Sequence, residues 1–166
     1  MIFAPLPATA CWRHRGARSG FEVAFFQAGP GGWRMDGTTA AAEDEQTWIV
    51  SYSIALDAAW LTREARVTAR TATGLRETVL AGDGEGRWRV DGRPAAHLDG
   101  CLDVDLESSA LDLSAVRLEQ SYARLPDQGA SQRYRYAAPA FGFTCTLIYD
   151  ESGLVLDYPG IAVRAR

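Results

Sequence analysis

The stretch Trp48-Ile49-Val50-Ser51-Tyr52-Ser53-Ile54-Ala55-Leu56-Asp57 decides the fold class. Trp48, Val50, Tyr52, Ile54 and Leu56 recur at every second position, with Ser51, Ser53 and Asp57 on the alternate positions. Neighbouring side chains of a strand point to opposite faces, so this period gives one apolar and one largely polar face. A helix, with about 3.6 residues per turn, would scatter the same residues around its axis. Upstream, Phe21–Gln27 is a second apolar run, closed by the turn cluster Gly29-Pro30-Gly31-Gly32. Downstream, Leu61, Arg63, Ala65, Val67, Ala69 and Thr71 alternate as a strand would, although Ala58–Val67 also suits a short helix. The threonines at 62, 68, 71 and 73 favour the strand, because β-branched side chains fit a pleated surface.

The remaining segments repeat the theme. Leu75–Ala81 and Gly86–Val90 flank Gly82-Asp83-Gly84-Glu85, a glycine-rich hairpin connection, and Asp91-Gly92 marks another turn. In Cys101–Glu107, Leu102, Val104 and Leu106 oppose Asp103, Asp105 and Glu107. Gln132–Tyr136, Phe141–Tyr149 and Leu154–Tyr158 complete the set. About ten strands do not lie flat, since open twisted sheets of that size curl or close. The expected fold is all-β and mainly antiparallel: a single curled sheet forming a barrel-like or spiral roll, with at most one short helix. Residues 1–166 are expected to form one domain.

Composition removes whole classes of function. All 17 basic residues are arginines, so lysine Schiff bases and the P-loop lysine are excluded. His14 and His97, the two histidines, leave little material for a histidine metal centre or triad. A net charge of −4 argues against phosphate-backbone binding, and so does the Arg133-Tyr134-Arg135-Tyr136 pattern. In a strand its arginines and tyrosines point to opposite faces, whereas a stacking platform needs both on one. Cys11, Cys101 and Cys145 are sparse and unpaired by spacing, which fits a reducing compartment. No run approaches the roughly 20 apolar residues of a spanning helix. A cytoplasmic location, no nucleic-acid partner and no cofactor are the expectations.

Asp103 and Asp105 share one strand face, a spacing that a divalent cation can bridge or that arginines can neutralise from a neighbouring strand. A small hydrolase or transferase built on this pair is one alternative function, and a module that pairs strands through an exposed edge is another. Against catalysis, the sequence has no GxSxG elbow and no HExxH motif. The five tryptophans, Trp12, Trp33, Trp48, Trp60 and Trp88, suit a core or the lining of a groove.

Trp88-Arg89-Val90-Asp91-Gly92-Arg93-Pro94 followed by Leu98-Asp99-Gly100-Cys101-Leu102-Asp103-Val104-Asp105-Leu106 resembles the central motif of the bacterial putative glycolipid-binding family. The resemblance extends to Trp12 with Gly20-Phe21-Glu22, to Gln132 and Tyr134, and to Asp150, Gly153-Leu154-Val155, Asp157-Tyr158-Pro159-Gly160 and Arg164. It departs at 108–118, where the family's proline- and asparagine-containing stretch is replaced by Ser108-Ser109-Ala110-Leu111-Asp112-Leu113-Ser114-Ala115-Val116-Arg117-Leu118. The resemblance implies a β-rich roll similar in shape to carriers of lipoproteins and lipids, and a non-enzymatic role in binding an amphiphile such as a glycolipid. On that reading Trp48, Tyr52 and Ile54 line the acyl site, and Asp103, Asp105, Arg117 and Tyr134 meet the head group.

Overall fold

The computed structural model describes residues 3–16, 18–101, 104–107 and 113–165. The first half is a long meander: β1 (Thr9–His14), β2 (Arg18–Gly29), β3 (Gly32–Glu43), β4 (Gln46–Asp57), β5 (Thr62–Thr71), β6 (Gly74–Gly82), β7 (Trp88–Val90) and β8 (Arg93–Pro94). A 3-10 turn, Ala96–Leu98, leads to a separate hairpin of β9 (Val104–Glu107) and β10 (Ser114–Arg117). The second meander is β11 (Ser121–Gln128), β12 (Ser131–Ala138), β13 (Phe143–Tyr149), β14 (Val155–Tyr158) and β15 (Ala162–Arg164). Another 3-10 turn, Pro139–Phe141, precedes β13, where the sequence pattern had extended the strand to Phe141. The ambiguous segment after Asp57 is β5, as its threonines indicated.

Every neighbouring pair is antiparallel, and β15 returns beside β1 to fuse the two meanders into one sheet of thirteen strands. Irregular register at Ala55/Leu56, Leu125/Gln128 and Ile148/Tyr149 adds local bends to the natural twist, and the sheet curls. It remains open, with β11 at one edge and β8 at the other. The barrel-like expectation is therefore met by a roll without closure.

Alternation sorts residues between the two faces as the sequence indicated. Trp48 is buried on β4, whereas its neighbour Ile49 is 44% exposed on the outer face. On β12, Tyr134 and Tyr136 are partly or fully buried, while Arg135 is exposed. Small inward residues, Ala41, Ala65 and Ala69 among them, let other segments approach the inner face closely.

The β9–β10 hairpin uses that space. Val104 and Ala115 pack with Ile54, Ala65, Leu80, Trp88, Ala95 and Leu98. Leu113, just before β10, packs with Ala41, Trp48, Val67 and Ala69. The hairpin thus fills the hollow over β4–β7 with the protein's own side chains. Leu98 is fully buried there, and each such leucine stabilises the fold by roughly 1.5–3 kcal/mol. Two further clusters, Ala10-Ala24-Phe26 with Met35 and Trp33, and Tyr136-Ala138-Leu147 with Phe143 and Tyr158, fill other parts of the interior. Between these packed regions a cleft remains.

Candidate functional site: a cleft on the inner face

The cleft has a volume of about 470 Å³ and lies between the start of the first meander and the end of the second. Trp12, Trp48, Val50, Val155, Ile161 and Ala162 give it apolar walls. His14, Arg18, Glu22, Thr39 and Tyr158 give it polar groups. This size falls within the roughly 300–1,000 Å³ of small-molecule sites, which combine mostly apolar lining with a few placed polar groups.

Strand register explains the grouping. Trp12 lies opposite Glu22 on one side and Arg164 on the other, and His14 lies opposite Ala162. Thr39 lies opposite Glu22 and Val50. The Trp12 indole donates to the Val155 carbonyl at 2.7 Å, and the Arg164 guanidinium stands 4.7 Å from the Trp12 ring centroid. Arg164 also meets Asp150 at 3.4 Å, while the other Asp150 oxygen accepts from the amides of Ser152 and Leu154 and from the Ser152 hydroxyl. The turn before β14 is thereby tied to Trp12, which fixes one wall.

The opposite wall depends on Tyr52. From β4 its ring lies over Gly37 of β3, and its hydroxyl donates to Glu22 Oε1 on β2 at 2.6 Å. Burial, reinforced by the Glu22 charge and this hydrogen bond, pushes the phenol well above its ordinary pKa, so it remains a donor. Glu22 has no ion-pair partner among the described residues. Arg18 pairs instead with Glu43 at 3.6 Å and stands 5.5 Å from the Trp48 ring centroid.

His14 is 9% exposed, and its Nδ1 is buried with no hydrogen-bond partner among the described residues. Burial first, then Arg18, lowers its pKa from 6.5, against the opposing pull of Glu22 and Glu43. Its imidazole is consequently neutral at neutral pH, with one ring nitrogen a donor and the other an acceptor. A lowered histidine pKa means that the unfolded chain binds more protons than the native one below about pH 6.5. Stability contributed by neutral His14 is therefore expected to fall as pH drops through that value toward the folded pKa. Thermal melting between about pH 7.5 and 5 checks this: His14→Gln should have a shallower decline than the parent above the carboxylate range.

The residues expected from sequence divide. Trp48 lines the cleft, and Tyr52 supports it through Glu22. Ile54 packs beneath the β9–β10 hairpin instead. Arg117 is exposed on β10, opposite Val104. Tyr134 packs edge-on against Tyr149 and carries Arg124 over its ring at 4.9 Å. Asp105 lies on β9, opposite Val116, and Asp103 lies outside the described residues. Apart from Trp48, the cleft lining, with Trp12, His14, Arg18 and Glu22 among it, was not among the site residues expected from alternation. Trp12, Glu22, Val155 and Tyr158 nevertheless occur in the terminal parts of the family resemblance, and that was the available signal.

Among the described residues, no cluster of three His, Cys, Asp or Glu side chains is placed to hold a metal. No helix among them is long and apolar enough to cross a membrane. The fold is thus an open all-β roll with an apolar-walled cleft on its inner face. The family model described as "Putative glycolipid-binding" matches residues 9–112 and 109–164, and the chain belongs to that family. A solved DUF1089 family protein from Pseudomonas aeruginosa has the same fold, with a TM-score of 0.70 and 24% identity over 99% of this chain and 100% of that one. No curated protein matches the chain.

Proposed function

We propose that this protein binds an amphiphile without chemically altering it, with the apolar part of the ligand against Trp12, Trp48, Val50 and Val155. The carrying observation is an apolar-walled cleft whose lining also includes His14 and a Glu22 carboxylate held at one oxygen by Tyr52. Family membership supports a glycolipid as the ligand class. Burial of a hydrocarbon tail supplies affinity at roughly 25 cal/mol per Å² of apolar surface removed from water, less the cost of ordering it. Trp48 acts as lining and Tyr52 as support. The other expected residues, Ile54, Arg117 and Tyr134, serve packing or surface roles in this reading.

Native mass spectrometry of protein purified from its own cells tests the assignment. A co-purifying lipid at near one copy per chain, displaced by dodecyl maltoside below its micellar concentration, is the expected result. Ligand-free protein that also shows no saturable binding of dodecyl maltoside would remove the basis for the proposal.

A further inference from the structure

The polar side of the cleft has an asymmetry of charge. Glu22 is fixed by the Tyr52 hydroxyl at one oxygen, and no cation neutralises it within ion-pair distance among the described residues. The arginine that shares the cleft is already engaged by Glu43 and by the Trp48 face. Beside Glu22 sits a buried histidine whose Nδ1 has no partner among the described residues. Resting on the binding role above, we propose that Glu22 makes the cleft selective for an uncharged, hydroxyl-bearing head group and rejects anionic ones.

The chemistry follows from what each group can accept and donate. A carboxylate is acceptor-only, so its free oxygen needs a donor, and a neutral imidazole offers one donor and one acceptor. A hydroxyl both donates and accepts, so hydroxyls satisfy Glu22 and His14 together. A phosphate or carboxylate head could accept from the imidazole N–H, the Thr39 hydroxyl or the Arg18 guanidinium. The Arg18 charge is already offset by Glu43, however, and the anion would stand near the Glu22 carboxylate, which no ion pair among the described residues offsets. Between apolar walls such repulsion is screened less than in water. A cationic head would suit Glu22 but would meet Arg18 and, again, no use for the imidazole N–H. Selection here works by penalising the wrong head as much as by rewarding the right one.

Three probes with the same dodecyl tail separate these cases: dodecyl maltoside, dodecyl phosphate and dodecyltrimethylammonium, each below its micellar concentration. Binding is read by native mass spectrometry and by tryptophan fluorescence. The parent protein should bind the maltoside at least about tenfold more tightly than either charged probe. Glu22→Gln keeps the shape and an acceptor for Tyr52, and it should shrink the maltoside-to-phosphate ratio to about threefold or less by strengthening phosphate binding.

Dodecyl phosphate or the ammonium probe binding as tightly as the maltoside to the parent overturns the selectivity while leaving the cleft as a binding site. An unchanged ratio in folded Glu22→Gln overturns the role of Glu22. Should that variant melt far below the parent, the ratio in the parent decides alone. Failure of all three probes to bind saturably removes the binding role itself, and this proposal with it.

Discussion

Gly37→Ala is expected to destabilise the protein by about 1–3 kcal/mol and to weaken ligand binding by at least about tenfold. Gly37 is buried in the middle of β3, and its backbone is not in the left-handed region that favours glycine. The requirement is steric. A methyl built there would stand 2.8 Å from Cε2 of Tyr52 and closer still to Cζ and the hydroxyl. The Tyr52 ring crosses β3 at this point because only a hydrogen occupies it. With alanine the ring must swing aside, and the hydrogen bond to Glu22 is lost along with packing against the core cluster of Ala41, Trp48, Val67, Ala69 and Leu113. Equilibrium urea unfolding measures the first effect, and titration with dodecyl maltoside the second. Coupling Gly37→Ala with Tyr52→Leu separates the two causes. The shorter side chain relieves the clash, so the double variant should be less destabilised than the sum of the single ones, while Glu22 stays unanchored and binding stays weak. Full stability in Gly37→Ala would mean that the ring is free to move and that the Tyr52–Glu22 link does not organise this wall.

Local pattern revealed most strands because one face of each is buried. The alternation from Trp48 to Leu56 survives in β4, and the threonine-rich stretch after it is β5, with Ala65, Val67 and Ala69 inward. Local pattern has no access to pairings between distant segments. Trp12 meets Arg164 only because β15 returns beside β1, and that pairing joins residues far apart in sequence. The same pairing brings Val155 and Tyr158 to the cleft. Tryptophans and isoleucines on one strand face looked equivalent in the sequence, yet Trp48 reaches the cleft and Ile54 lies beneath the hairpin. What separates them is where the β9–β10 segment lies along β4, a tertiary fact without a period. The family resemblance carried part of the missing information, since Trp12, Glu22, Val155 and Tyr158 belong to its quoted residues.

The hairpin also determines what the roll can hold. An empty curled sheet of this size would offer its whole inner surface to a ligand. Here Leu113, Ala115 and Val104 occupy the part over β4–β7 and join Leu98 and Trp88 in a packed core. The stability of that part and the confinement of open volume to a cleft elsewhere are two results of one placement. Apolar contacts that would have been left to a ligand are made internally, and the 470 Å³ cleft is what that packing leaves beside β1–β4.

Val50→Trp should therefore remove binding while sparing the fold. Val50 is half-buried, lines the cleft and lies opposite Thr39 and Ala69 on the neighbouring strands. A tryptophan at this position can extend into the open volume, whereas the same change in a closed core would cost about 1–3 kcal/mol through overpacking. The expected result is a loss of affinity for dodecyl maltoside of at least about thirtyfold, with a melting temperature within about 4 °C of the parent. Native mass spectrometry reads the binding, because the added indole complicates fluorescence. Ile49→Trp is the matched control: one residue away, it projects from the outer face, where Ile49 is 44% exposed. It should bind as the parent does. The pair thus tests strand periodicity and site location together. Equal binding by both variants would place the ligand away from this cleft, whereas equal loss would point to a general disturbance of β4. Loss at position 50 alone requires a ligand lying between Trp48, Thr39 and the returning C-terminal strands.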